Sequence, residues 1–189
     1  KCFPSILPDM TFEEALEVTK IHSVAGTLDA KQGIVCQRPF RSPHHTATLI
    51  SLTGGGKNAK PGEISLAHNG VLFLDEMPEY NHYTIESLRQ PLEDGVITVA
   101  RLMQTVTYPA NFTLISSMNP CPCGHYGSKS GECKCSPLQI HRYLGKLSGP
   151  LMDRIDIHIE VDNVTYDELT DKNNAEEKSA DIKKRVDSA

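Results

Sequence analysis

The spacing of apolar residues changes period several times along this chain, and each change predicts an element. In TFEEALEVTKIHSVAG, Ala15, Leu16, Val18 and Ile21 recur at helical spacing. Thr11 stands three residues before Glu14, the pattern in which side chains and backbone cap each other at a helix start, and Gly26 closes the run. RPFRSPHHTATLISLTGGGKNAKPGEISLAHN then predicts a short strand, an apolar helical stretch around Leu49 to Leu52, an exposed Gly/Lys loop and a second helical turn. VLFLD is too short and too apolar for a surface element, and fits a parallel strand buried on both faces.

Asn81 is the expected N-cap of a helix through NHYTIESLRQPLEDG, with Ile85 and Leu88 on one face, a kink at Pro91 and a stop at Gly95. VITVARLMQTVTYP is rich in β-branched residues and breaks near Arg101 to Gln104, which predicts a β-hairpin. FTLISSMN predicts a second buried strand ending on Asn119. Ser136 and Pro137 open a helix that stops at Gly149-Pro150, and IDIHIEV alternates as a further strand. From Asp162 onward the chain is polar and charged, as expected of a linker or an amphipathic helix. Strands alternating with helices give an α/β fold with a mainly parallel sheet, whose ligand site lies beyond the carboxyl ends of the strands. Asp75, Glu76 and Asn119 are all expected at such ends.

Composition adds limits. With 189 residues, 39 % hydrophobic and 23 % charged, the chain suits one globular core or a core with an appendage. Its apolar runs are far too short to span a membrane and the N-terminus lacks a signal pattern, so a cytoplasmic protein is expected. A net charge of -5 gives no overall nucleic-acid footprint. Any DNA contact must then come from a local loop or from assembly into a ring.

The run GVLFLDE ends on two adjacent carboxylates. In nucleotide hydrolysis a carboxylate holds the magnesium ion and a second group positions the attacking water. Asp75 suits the first role, Glu76 the second, and Asn119 can bond the same water or the terminal phosphate. An apolar run closing on Asp-Glu serves equally well as the cap of the following helix.

The wider context supplies a resemblance. GEISLAHNGVLFLDEMPEY, LRQPLEDGVITVAR, FTLISSMNPCPCG and LSGPLMDRIDIHIEV together resemble the magnesium-chelatase subunit I-like branch of the AAA+ ATPases, within it the ComM/YifB competence-type group, over nearly the whole chain. The resemblance implies an AAA+ P-loop NTPase-type fold, with a β-hairpin before sensor 1 and a cysteine-rich insertion after it. It implies that Asp75 and Glu76 are the Walker B pair, Asn119 sensor 1, and Arg154 in MDRID the arginine finger that reaches a neighbouring subunit's nucleotide. A guanidinium stabilises charge building on phosphoryl oxygens. From spacing alone, Arg154 pairs as readily with Asp153 or Asp156. Arg89 and Arg101 are weaker candidates for nucleotide or DNA contact. Residues 1–161 are the expected truncated ATPase core, with 121–135 a zinc-binding insertion in it and 162–189 a linker and the start of a lid domain.

One required motif is missing. No segment fits the phosphate-cradling G-x-x-x-x-G-K-[ST]; TGGGKNA puts Asn58 after Lys57 and has no strand directly before it. In the family that loop lies just upstream of residue 1, and the lid lies downstream. The expectation is a piece trimmed at both ends, binding ATP weakly and hydrolysing none. LTGGGKNAKPG reads instead as a loop facing the pore of a ring, where Lys57 and Lys60, with Arg101 on the hairpin, neutralise DNA phosphates without reading sequence; a plain solvated loop fits equally. His44 and His45, as neighbours on a strand, would point to opposite faces and are expected to be structural.

Cys121, Cys123, Cys133 and Cys135 form C-x-C, nine residues, C-x-C, among glycines. In a reducing compartment four such thiolates close a tetrahedral metal site and brace an insertion too small for a core of its own. Zinc is the expected metal, His125 can replace one cysteine, and free or oxidised thiols are the alternative. Three functions follow: part of an ATP-driven hexameric motor acting on DNA as a helicase or branch-migration factor, a chelatase motor subunit that inserts magnesium into a porphyrin, or a non-catalytic zinc-stabilised binding module.

Overall fold

The computed structural model describes residues 2–29, 33–101, 104–127, 131–161 and 177–189. Helix α1 (Phe12–Ala25) begins with the expected reciprocal cap: Thr11 Oγ1 accepts from the Glu14 N–H, and the Thr11 N–H donates to the Glu14 carboxylate. It ends at Gly26, whose φ of 77° is left-handed. Ala15, Val18 and Ile21 turn its buried face inward.

Three strands form a parallel sheet in the order β1 (Phe40–Arg41), β4 (Val71–Leu74), β7 (Thr113–Ser116). β4 is central, and Val71, Leu72 and Leu74 on it are fully buried, as an apolar run flanked by strands on both sides requires. Gly70 admits β4 to this place. A Cβ there would run into the Pro39 backbone, which accepts the Val71 N–H at 2.8 Å. β7 is only half-buried, not the buried strand the sequence suggests, because it has a strand neighbour on one side only among the described residues.

Between β1 and β4 lie α2 (Leu49–Thr53), the two-residue strands β2 (Gly54–Gly55) and β3 (Lys60–Pro61), and α3 (Glu63–Leu66). Arg41 locks α3 to β1 through two bonds to Glu63, at 2.6 and 2.8 Å. After β4 come α4 (His82–Glu86) and α5 (Arg89–Asp94), not one kinked helix. Pro91 sits in the first turn of α5, where an N–H has no partner within the helix, so it is accommodated without a kink. The hairpin β5 (Val96–Arg101) and β6 (Gln104–Pro109) pairs as expected. α6 (Pro137–Leu144), α7 (Gly149–Met152) and α8 (Ser179–Asp187) complete the described elements.

The core runs from Leu52 and Ile64 through Leu72, Leu74 and Met77 to Ile85, Leu88 and Leu151. Burying each such side chain stabilises by about 1.5–3 kcal/mol. IDIHIEV forms no strand. Residues 155–161 pair with no strand among the described residues, and Ile157, Ile159 and Val161 are at least three-quarters exposed. Alternation alone makes no strand without a partner edge to receive its hydrogen bonds. The expected linker lies largely outside the described residues, and its far end, α8, packs on the short 3-10 turn Phe3–Ile6.

Candidate active site and cysteine centre

Asp75 and Glu76 emerge where β4 leaves the core: Leu74 is fully buried and both carboxylates are exposed. The backbone ladder between β4 and β7 continues past the strands, with the Ser117 N–H on the Leu74 carbonyl (3.0 Å) and the Met77 N–H on the Ser117 carbonyl (2.9 Å). This register sets Ser117 opposite Asp75. Its Oγ donates to Asp75 Oδ1 and accepts the Glu76 N–H at 3.2 Å. Glu76 itself takes left-handed angles, φ 51° and ψ 48°, a conformation that costs on the order of 1–2 kcal/mol in a residue with a Cβ. The ladder on either side holds it there, and the reversal gives the two adjacent carboxylates different neighbours.

Glu76 faces His45, with Nδ1 to Oε2 at 3.7 Å. The histidine pair does not lie on a strand. His45 and Thr46 form a turn closed by the Ala47 N–H on the His44 carbonyl at 2.8 Å, so the two rings lie 4.0 Å apart rather than on opposite faces. Tyr80 anchors this turn by donating to the Pro43 carbonyl at 2.6 Å. Burial first, then the nearby Asp75 charge, pushes the Tyr80 hydroxyl up to about 12. It therefore stays protonated and donating throughout the neutral range.

Asn119 is not at a strand end. β7 stops at Ser116, and Asn119 lies exposed further along; burial pushes the Tyr143 hydroxyl up, opposed by the Asn119 backbone. Tyr143, on α6, is buried and lies beneath Lys146, which pairs with Glu79 at 3.2 Å. Among the described residues, Arg154 bonds neither Asp153 nor Asp156. It pairs with Glu93 and donates to the Pro150 carbonyl at 2.5 Å, and its charge lowers the Glu93 carboxyl. Arg89 pairs with Glu86 at 3.2 Å.

Of the three cations expected to meet DNA, Lys57 is exposed near the loop tip. Arg101 folds from the hairpin onto the loop, its guanidinium against Gly55 and 3.4 Å from the Gly54 carbonyl. Only a glycine leaves room for that approach. Lys60 turns the other way, to the Ala25 carbonyl at the end of α1 (3.4 Å). The loop is less exposed than expected: Gly54, Gly55 and Ala59 are buried and Gly56 to Asn58 are open.

The four cysteines converge. Cys121 and Cys123 Sγ are 3.4 Å apart, each lies 3.7 Å from Cys133 Sγ, and all four sulfurs fall within 4.8 Å of one another. A zinc ion bound at about 2.3 Å by four sulfurs would set them about 3.8 Å apart, so the donor set fits a tetrahedral metal. Backbone N–H groups of His125 and Lys134 lower Cys123 to about 6, while burial and the neighbouring Cys123 push Cys135 up to about 12. Packed thiols share protons in this way until a cation takes their place.

The sequence profile described as "Magnesium chelatase, subunit ChlI" matches residues 1–169. The chain belongs to this family. This magnesium-chelatase-family chain carries an α/β fold, with helices flanking a parallel sheet. It is 48 % identical over 181 residues to the uncharacterised protein YifB of Salmonella typhimurium, covering 96 % of the chain and 35 % of that protein. With competence protein ComM of Haemophilus influenzae it shares 46 % identity over 182 residues, again 96 % of the chain and 35 % of the relative. The chain thus spans about a third of the length of these curated relatives. Among solved structures, NtrX of Brucella abortus in complex with ADP is similar at a TM-score of 0.44 and 22 % identity, over 66 % of this chain and 25 % of that one. No described helix is long and apolar enough to cross a membrane.

Ser117, Tyr80 and Tyr143 are neighbours of the carboxylates to which sequence reading assigned no role, and His45, expected to be structural, faces Glu76. Ser117 had a signal, since a polar residue where the second apolar run ends must face the residue where the first run ends if the strands are parallel and in register. Nothing in the sequence marks Tyr80 or Tyr143.

Proposed function

We propose that this chain supplies the hydrolytic and ring-contact parts of an ATP-driven motor that, in the whole protein, works on DNA as a helicase or branch-migration factor. The observation that carries the reading is the pair Asp75 and Glu76 at the carboxyl end of the central parallel strand, with Ser117 fixing one and His45 facing the other. Asp75 would hold the magnesium ion of Mg-ATP, and that ion supplies neutralisation of phosphate charge. Glu76 polarises the attacking water, Asn119 senses the terminal phosphate, and Arg154 leaves Glu93 to reach the nucleotide of the next subunit in a hexamer. Residues 1–161 form the ATPase core, 121–135 a metal-bearing insertion, and 162–189 the passage to a lid. No segment of this chain fits the phosphate cradle G-x-x-x-x-G-K-[ST], and we propose that residues 1–189 by themselves turn over no ATP.

Lys57, Lys60 and Arg101 line the DNA path. Arg101 resting on the glycine loop supports one surface made from loop and hairpin. Zinc is the proposed occupant of the cysteine centre. A chelatase motor is the second reading, favoured by the family's description, and the high identity to a protein named for competence favours DNA. The deciding experiment measures ATP turnover by the whole protein with and without branched DNA. Stimulation by the junction supports the motor on DNA, and turnover indifferent to DNA removes it.

A further inference from the structure

The cysteine centre sits at a particular place in the chain. It begins just past Asn119 and ends on Cys135, next to Ser136, which caps the N-terminus of α6 through the Gln139 N–H at 3.3 Å. Between these ends the described residues bury almost nothing: Cys121 is fully buried, and every other one is exposed or half-exposed. Hydrophobic burial therefore cannot hold this segment, and a cross-link must.

What the segment connects is the hydrolytic site. On its upstream side, Ser117 bonds Asp75 and the Glu76 backbone. On its downstream side α6 carries Tyr143, and just beyond it Lys146 meets Glu79, in the 3-10 turn Met77–Glu79 that directly follows the two carboxylates. The chain from Ser117 to Lys146 is thus a loop that leaves the site and returns to it. Among the described residues, its far side is closed where four sulfurs approach within 4.8 Å, with the His125 ring packed against Gly131 beside them.

We infer that Cys121, Cys123, Cys133 and Cys135 bind a structural zinc ion whose role is to position the Ser117–Asn119 segment beside Asp75 and Glu76. The ion touches no substrate. It fixes the start of α6, and Lys146 just beyond α6 ties the returning chain to Glu79, in the turn that follows the two carboxylates. The functional half of this inference rests on the proposed ATPase reading, while the metal and its effect on the segment do not.

The test uses the whole protein. Metal analysis of the purified protein should give about one zinc per chain, and exchange for cobalt should give the absorption of a tetrahedral thiolate site. Cys133→Ser should lose the metal, Cys133→His should keep it, and Cys36→Ser, outside the centre, should leave it unchanged. Without metal, amide exchange at Ser117–Asn119 and in α6 should speed up at least tenfold while that of β4 stays slow. Turnover should fall about tenfold or more with the KM for ATP little changed. Less than a tenth of a metal per chain together with no cobalt signature overturns the site. Metal loss that leaves exchange at Ser117–Asn119 unchanged overturns the positioning role. If Glu76→Gln leaves turnover intact but the metal and exchange results hold, the ATPase assignment fails and the zinc brace stands.

Discussion

Ser117 is the residue on which both carboxylates depend, since one hydroxyl donates to Asp75 and accepts from the Glu76 backbone. A hydrogen bond to a charged group contributes about 1.5–3 kcal/mol. Ser117→Ala should therefore slow ATP turnover by the whole protein roughly ten- to a hundredfold, and Ser117→Thr should recover part of it; steady-state kinetics of the two variants check this. At this scale the sequence was half legible. Adjacent acids after an apolar run point to the strand end, because a buried strand must surface somewhere and polar residues mark the place. The left-handed turn at Glu76 and its approach to His45 were not legible, because the SPHHT turn folds back from a different strand and its position depends on Tyr80.

Elements largely follow the sequence where their stabilisation is local, although the helix opened by Ser136 stops at Gly145 and Gly149-Pro150 begins α7 instead of ending that helix. The caps at Thr11 and Ser136 and the stops at Gly26 and Gly95 are short-range patterns, and they fall where the spacing predicts. IDIHIEV fails for the converse reason, since a strand is made by its partner. The central strand should be the least tolerant element: Leu74→Ala, at a fully buried position, should cost about 2–5 kcal/mol in urea denaturation. Helix α1 brings a pH dependence. His22 lies between the Leu66 carbonyl (3.2 Å) and the Thr27 hydroxyl (3.1 Å). Burial, opposed by the Leu66 bond, depresses its pKa below the ordinary histidine value, with Arg41 lowering it and Glu63 raising it. The unfolded chain then takes up a proton more readily than the folded one. Stability from this group is fully present above about pH 6.5 and is lost as pH falls through the depressed folded value. Denaturation midpoints at pH 7.5 and pH 5 should differ more in the wild type than in His22→Gln.

For the whole molecule, the placement of Arg154 raises the question of whose nucleotide it serves. Within one chain it is held by Glu93 and the Pro150 carbonyl. A finger acting between subunits makes a distinctive prediction: Arg154→Ala and Glu76→Gln each abolish turnover alone, but mixing the two variants restores a fraction, because some interfaces then join an intact Glu76 to an intact Arg154. No recovery on mixing would confine Arg154 to its own chain. The fold class was legible because strands and helices succeed one another from α1 to β7, whereas assembly depends on surfaces that a single chain's pattern does not mark.

The central claim is that Glu76 activates water for ATP hydrolysis in a motor driven on DNA. Its most direct measurement is ATP turnover by the whole protein on branched DNA, wild type against Glu76→Gln, with ATP binding measured in parallel. Turnover should fall about a hundredfold or more with binding retained. An unchanged rate in the variant would contradict it.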